Sequence, residues 1–117
     1  MTDTSPDRGS TTPLPLSGVR ILDTAEGQFQ MIGRYFADLG ADVLRVEPPE
    51  GSADRHRGVT DHGVSLTFEI ANANKRSVTV DPSAPSAAAE LDGLAAGADI
   101  VLVDRRSAYA AALAAAR

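Results

Sequence analysis

Lys75 and Arg76 follow closely on Asn72 and Asn74, so two cations and two amides fall within five residues. Side chains of this kind form charge-assisted hydrogen bonds, and the group either holds a phosphate or an amide or forms a solvated strand entrance. Asp23, Asp81 and Asp104 each close a short apolar run. Carboxylates so placed act as acids, bases or nucleophiles, and they serve equally well as helix caps and turn formers. His56 and His62 share a polar stretch with Asp54 and Asp61. Their spacing fits no metal motif and no nucleophile accompanies them, which favours a solvated loop with no metal. Arg45 interrupts an apolar run, so it either leaves at a face edge or pairs with a carboxylate such as Glu47.

The elements that must position these residues are legible from period and punctuation. Four apolar runs predict strands over 19–22, 43–46, 77–80 and 100–103. Phe29, Ile32, Phe36 and Leu39 recur at spacings of three and four and predict a helix over 28–39 that stops at Gly40. Pro85 to Ala96 predicts a second helix, with proline near its start and Gly97 past its end. Residues 68–73 are read as a helical turn and 107–117 as a closing helix with few large anchors. Pro48-Pro49 cannot continue a ladder, so the chain leaves the sheet there into a long polar loop over 47–66. Strands alternating with helices specify an α/β fold, a Rossmann-like parallel sheet with flanking helices. Only four strands are expected, which makes it an incomplete N-terminal half of a doubly wound domain with an exposed last edge and marginal stability. Gly27 to Gly33 has neither common phosphate-loop spacing.

Composition narrows the function classes. The chain has 117 residues, 11 Lys and Arg, 16 Asp and Glu, and a net charge of −5, which argues against a nucleic-acid surface. No apolar run is long enough to cross a membrane, and the first dozen residues lack a signal-peptide core, so a cytoplasmic location with no membrane partner is expected. With no cysteine there is no disulfide, thiol nucleophile or thiolate metal site. Residues 1–13 are read as a disordered tail and 14–117 as the one partial domain.

Four segments in order carry a resemblance: Leu-Ser-Gly-Val-Arg-Ile-Leu-Asp, Ala-Asp-Leu-Gly-Ala-Asp-Val-Leu-Arg-Val-Glu-Pro-Pro, Asn-Ala-Asn-Lys-Arg-Ser-Val-Thr-Val-Asp and Gly-Ala-Asp-Ile-Val-Leu-Val-Asp. From Leu14 to Asp104 the chain resembles the start of the family III CoA-transferases, the family of formyl-CoA transferase, carnitine CoA-transferase and α-methylacyl-CoA racemase. The resemblance implies a CoA-binding Rossmann-like portion acting on acyl-CoA and a carboxylic acid, with CoA as substrate and no permanently bound cofactor. It implies interlocked homodimers among full-length relatives. It places the family's catalytic aspartate downstream, so no catalytic residue is expected in this chain. Val80 and Asp81 after the third strand, and Asp104, Arg105 and Arg106 after the fourth, match positions lining the CoA nucleotide, with Lys75 and Arg76 assisting. Pro48 stands where some relatives have an arginine. The racemase branch and a non-catalytic CoA-binding or interaction module are the competing readings.

Overall fold

The computed structural model describes residues 13–115. The expected tail lies, Pro13 apart, outside the described residues, as do the last two positions of the closing helix. The four expected strands appear as β1 (Arg20–Asp23), β2 (Asp42–Glu47), β5 (Arg76–Thr79) and β6 (Ile100–Leu102). They form one all-parallel sheet in the order β5-β2-β1-β6. Helices α1 (Gln30–Asp38), α3 (Ala87–Ala96) and α4 (Ala110–Ala115) fall where helical periodicity and composition place them. A 3₁₀ turn, Gly27–Phe29, leads into α1. Gly40, with φ of 104°, takes the left-handed conformation that ends α1.

The expected long polar loop is corrected in part, because it holds short ordered elements. Residues 47–66 contain a 3₁₀ turn, Ala53–His56, and a hairpin of β3 (Thr60–Asp61) and β4 (Val64–Ser65). His62 and Gly63 make its two-residue turn, both at positive φ as such tight turns require. Helix α2 (Leu66–Asn72) follows, starting two residues before its expected position, because the Ser65 side chain accepts the Phe68 N–H and caps it. Polar composition concealed this order, since the segment is held by caps and ion pairs rather than by an apolar stripe.

Period-2 alternation along the strands sends side chains to two different layers. Leu22, Val46 and Val80 pack with Leu91 of α3, Leu113 of α4 and Tyr109 just before α4 in the larger apolar core. Ile21 and Val43 pack with Ala41 and Phe36 on the other face, under α1. Continuing along that second face, the next inward positions are Asp23, Arg45 and Glu47, all buried. The α1 face is therefore apolar at the amino end of the sheet and ionic at its carboxyl end.

Tyr109 closes the larger core, its hydroxyl donating to the Val80 carbonyl at 2.6 Å. Burial raises its pKa to about 12. Because the folded value exceeds the ordinary one, this stabilisation is fully present below about pH 10 and is lost as pH rises toward 12. Ultraviolet titration of Tyr35→Phe, which leaves Tyr109 as the one tyrosine, is expected to give a midpoint near 12 or unfolding before it. Tyr109→Phe is expected to cost about 1–2 kcal/mol in chemical denaturation. A Tyr109 midpoint near 10 contradicts the buried hydrogen bond.

Candidate functional site

In an open parallel sheet, ligands bind beyond the carboxyl ends of the strands where the strand order reverses. Here β1 is that point, with β2 on one side and β6 on the other. Thr24 ties the β1 exit to β6, its amide and hydroxyl donating to the Leu102 carbonyl at 3.1 and 2.8 Å. One step outward, Asp104 accepts the Glu26 amide at 3.0 Å and the Arg106 amide at 3.0 Å. The Arg106 guanidinium returns to Asp104 at 3.2 Å and to the Glu26 carbonyl at 3.2 Å, and lies 5.0 Å from the centre of the Phe29 ring. These contacts lock the loop after β6 onto the loop after β1.

Between α1 and this locked pair lies an open groove of about 630 Å³, lined by Phe29, Ile32 and Val103 on the apolar side and by Asp104, Arg105 and Arg106 on the polar side. Arg105 is exposed on that rim. The Arg106 side chain holds the Asp104 carboxyl down to about 2, helped by the two backbone amides. Glu26 moves the opposite way: burial, then the charges of Asp54 and Asp104, raise it. The groove offers an apolar floor, a wide mouth and two exposed arginines, Arg106 paired with Asp104 and Arg105 on the rim, which suits a planar or flexible ligand with an anionic end.

On the other side of β1, Glu47 at the end of β2 accepts from Arg55 at 2.7 and 2.8 Å and from the Ser52 amide at 2.8 Å. Arg45 is buried, 3.5 Å from Glu47 and donating to the Ala25 carbonyl at 2.8 Å, so the carboxylate pairing holds and the face-edge alternative does not. The Phe68 ring lies near both guanidinium carbons, 5.5 Å from that of Arg45 and 4.5 Å from that of Arg55. Asp54, which the sequence offers only as a loop carboxylate, is buried and accepts from the Gly27 amide, Gln30 and Arg57 at 3.0–3.1 Å. Its signal was the Ser52-x-Asp54 turn, in which the Ser52 hydroxyl accepts the Asp54 amide at 3.2 Å. His62 is almost wholly exposed on the hairpin beside Asp61.

The sequence-predicted site residues are thus divided among three places. Asp104, Arg105 and Arg106 come together at the groove. Val80 is buried with its carbonyl committed to Tyr109, and the exposed Asp81 folds its carboxylate onto the Ser83 amide and hydroxyl at 2.9 and 2.7 Å, which lower its pKa. Lys75 and Arg76 do not form one cationic pair. The Lys75 ammonium turns inward, to Asp23 at 2.8 Å, the Gln30 carbonyl at 2.7 Å and Asn72 at 2.9 Å. Arg76 turns outward to Asp42 at 2.8 Å, and Asn74 to Asp38 at 2.7 Å. Arg76 opens β5 at its amino end, about 13 Å of strand before Val80 at about 3.3 Å per residue. Adjacent residues entering a strand face opposite sides, and that alternation separates them.

The family model for CoA-transferase family III matches residues 16–116. Over 76 residues the chain is 50% identical to the probable CoA-transferase Rv1866 of Mycobacterium tuberculosis, covering 65% of this chain and 10% of that protein. It is 38% identical to the beta subunit of succinyl-CoA–L-malate CoA-transferase from Chloroflexus aurantiacus, covering 80% of this chain and 24% of the relative. The crystal structure of Rv3272 from Mycobacterium tuberculosis superposes with a TM-score of 0.73 at 33% identity, over 86% of this chain and 29% of that one. The chain therefore spans between a tenth and three tenths of these relatives.

Replacing Arg106 by alanine is expected to raise the Asp104 carboxyl from about 2 toward the ordinary value near 4, followed by carbon-detected NMR titration. Since a lowered carboxyl pKa stabilises the fold above that ordinary value, the variant is also expected to lose less stability than the parent between about pH 4 and pH 2. An unmoved midpoint assigns the shift to the backbone amides of Glu26 and Arg106 alone.

Proposed function

This chain belongs to CoA-transferase family III, and we propose that it forms the CoA-binding portion of an enzyme moving CoA between carboxylic acids. The observation that carries this reading is the groove at the β1/β6 reversal, where an apolar floor meets Arg105 and the Asp104–Arg106 pair. Strand-end loops at such a reversal are where this class of sheet takes nucleotides. The nucleotide's ring packs on the Phe29 side and a phosphate meets Arg105, while the Asp104 charge is offset by Arg106. Val80 and Asp81 border the same end of the sheet across β2. CoA acts as substrate together with an acyl donor and a carboxylic acid acceptor. The acyl-transferring carboxylate comes from the remainder of a family III subunit, with a second copy interlocked as in full-length relatives. Domain 14–117 is in this reading a cytoplasmic CoA-binding unit that supplies no catalytic residue.

Calorimetric titration with CoA is expected to show binding that weakens about tenfold when Arg105 and Arg106 are both replaced by alanine, the scale of one charge-assisted hydrogen bond. Arg76→Ala, at the other end of the sheet, is expected to leave affinity unchanged. Transferase assays with acyl-CoA donors are expected to show no turnover by the 117-residue chain. Turnover overturns the absence of a catalytic residue, and failure to bind CoA overturns the reading of the groove.

A further inference from the structure

Lys75 and Asp23 form the deepest ion pair among the described residues, the Lys75 side chain 1% exposed and that of Asp23 fully buried. Its three ammonium hydrogens meet three acceptors: Asp23, the Gln30 carbonyl at the start of α1 and the Asn72 side chain at the end of α2. Each acceptor leads to a loop at the carboxyl end of the sheet. Asp23 accepts the Ala25 amide at 2.9 Å and so fixes the loop after β1. Asn72 donates to Gln30 at 2.7 Å, Gln30 donates to Asp54 at 3.1 Å, and Asp54 accepts the Gly27 amide at 3.0 Å. That chain joins the loop after β1 to the 3₁₀ turn after β2.

From this geometry we infer that Lys75 is a positioning residue that holds the loops at 24–30 and 52–57 in register, reaching the ligand groove only through them. Access supports the inference, because a side chain 1% exposed with every donor used has nothing left for a ligand. Gly33 supports it independently. A Cβ built on Gly33 stands 2.4 Å from the Asp23 carboxylate and 3.0 Å from the Lys75 side chain, so α1 lies on the ion pair with no room between them. Glycine inside a helix is unfavourable unless packing demands it, and here the demand comes from the buried pair. Burial lowers the Lys75 pKa, Asp23 opposes that shift by favouring the charged form, and the charges of Arg45 and Arg34 add to the lowering.

The inference rests on the CoA reading of the groove only where affinity is measured. Hydrogen exchange followed by mass spectrometry on the whole chain tests the rest. Lys75→Met is expected to speed amide exchange about tenfold or more in 24–30 and 52–57, the scale of one lost charged hydrogen bond, with α3 on the opposite face unchanged. Gly33→Ala, which changes no charge, is expected to release the same two segments. Should Lys75→Met fail to fold, Asn72→Leu keeps the Asp23 pair and is expected to release 52–57 alone. Wild-type exchange in both segments of the Lys75 and Gly33 variants, or in 52–57 of the Asn72 variant, overturns the inference. So does a loss of CoA affinity in Lys75→Met with both segments still protected, which makes Lys75 a ligand. If the parent chain binds no CoA but the loops are released as described, the positioning role stands and the CoA reading fails.

Discussion

A carboxylate buried at the end of a central strand has to be paired, and the pairing of Asp23 with Lys75 decides how the rest of the ionic face is arranged. Asp23 cannot reach water, so a cation must be delivered to it from a segment that also passes beneath α1. The stretch between α2 and β5 meets that condition: α2 packs on α1, and the lysine at its exit runs under Gly33. Breaking such a pair leaves an uncompensated charge in the interior, at a cost of roughly 3–5 kcal/mol, whereas the intact pair adds little beyond an apolar equivalent. Its value is therefore positional. An apolar pair would fill the same space while leaving the Gln30 carbonyl and the Asn72 amide oxygen free to choose other partners.

The same logic extends along the sheet. On the α1 face, Ile21 and Val43 give way to Asp23, Arg45 and Glu47, so the layer changes from hydrophobic to ionic within two residues of each strand. Apolar packing is non-directional, while charge-assisted hydrogen bonds fix distance and angle. The amino half of this layer supplies cohesion. The carboxyl half supplies geometry: it ties the loop after β1, which borders the groove, to the 3₁₀ turn after β2. The opposite face, filled by Leu22, Val46, Leu91 and Leu113, carries no ionic layer among the described residues and is closed by the Tyr109 hydroxyl on Val80.

How much of this could be read in advance follows from the same division. Strand positions and the α1 and α3 helices were legible, because apolar period, Gly40 and Gly97 speak directly of local conformation. The hairpin and the 3₁₀ turn before it were not, since Asp54, Ser52 and Arg55 are polar residues used as interior ties, and polarity in a sequence reads as solvent. Lys75 and Arg76 looked like one cationic group because they are neighbours in sequence. The strand entrance turns one inward and the other outward, and only the presence of Gly33 across the space, a glycine within an otherwise ordinary helix, hinted at which one. Asp104 was singled out by its position after a strand and Arg105 and Arg106 by the resemblance; the three are brought together because they are consecutive in the loop after β6.

The balance of charge at the strand ends bears on how a ligand is recognised there. Glu26, Glu47, Asp54 and Asp104 crowd the crevice, and Arg45, Arg55, Arg57 and Arg106 are spent on the last three. A ligand drawn in by net positive field would find little of it, in keeping with a chain whose overall charge is −5. In the proposed reading, recognition comes instead from local features: the apolar floor made by Phe29, Ile32 and Val103 and the exposed Arg105 at the rim. Each arginine that pairs internally removes a competing anion from the groove's field without offering a second cation, so affinity for an anionic ligand depends on how well the loops hold their paired carboxylates away from it. That dependence is why a buried ion pair with no exposed donor of its own, joined to the groove wall only through the Ala25 amide, bears on the groove's geometry.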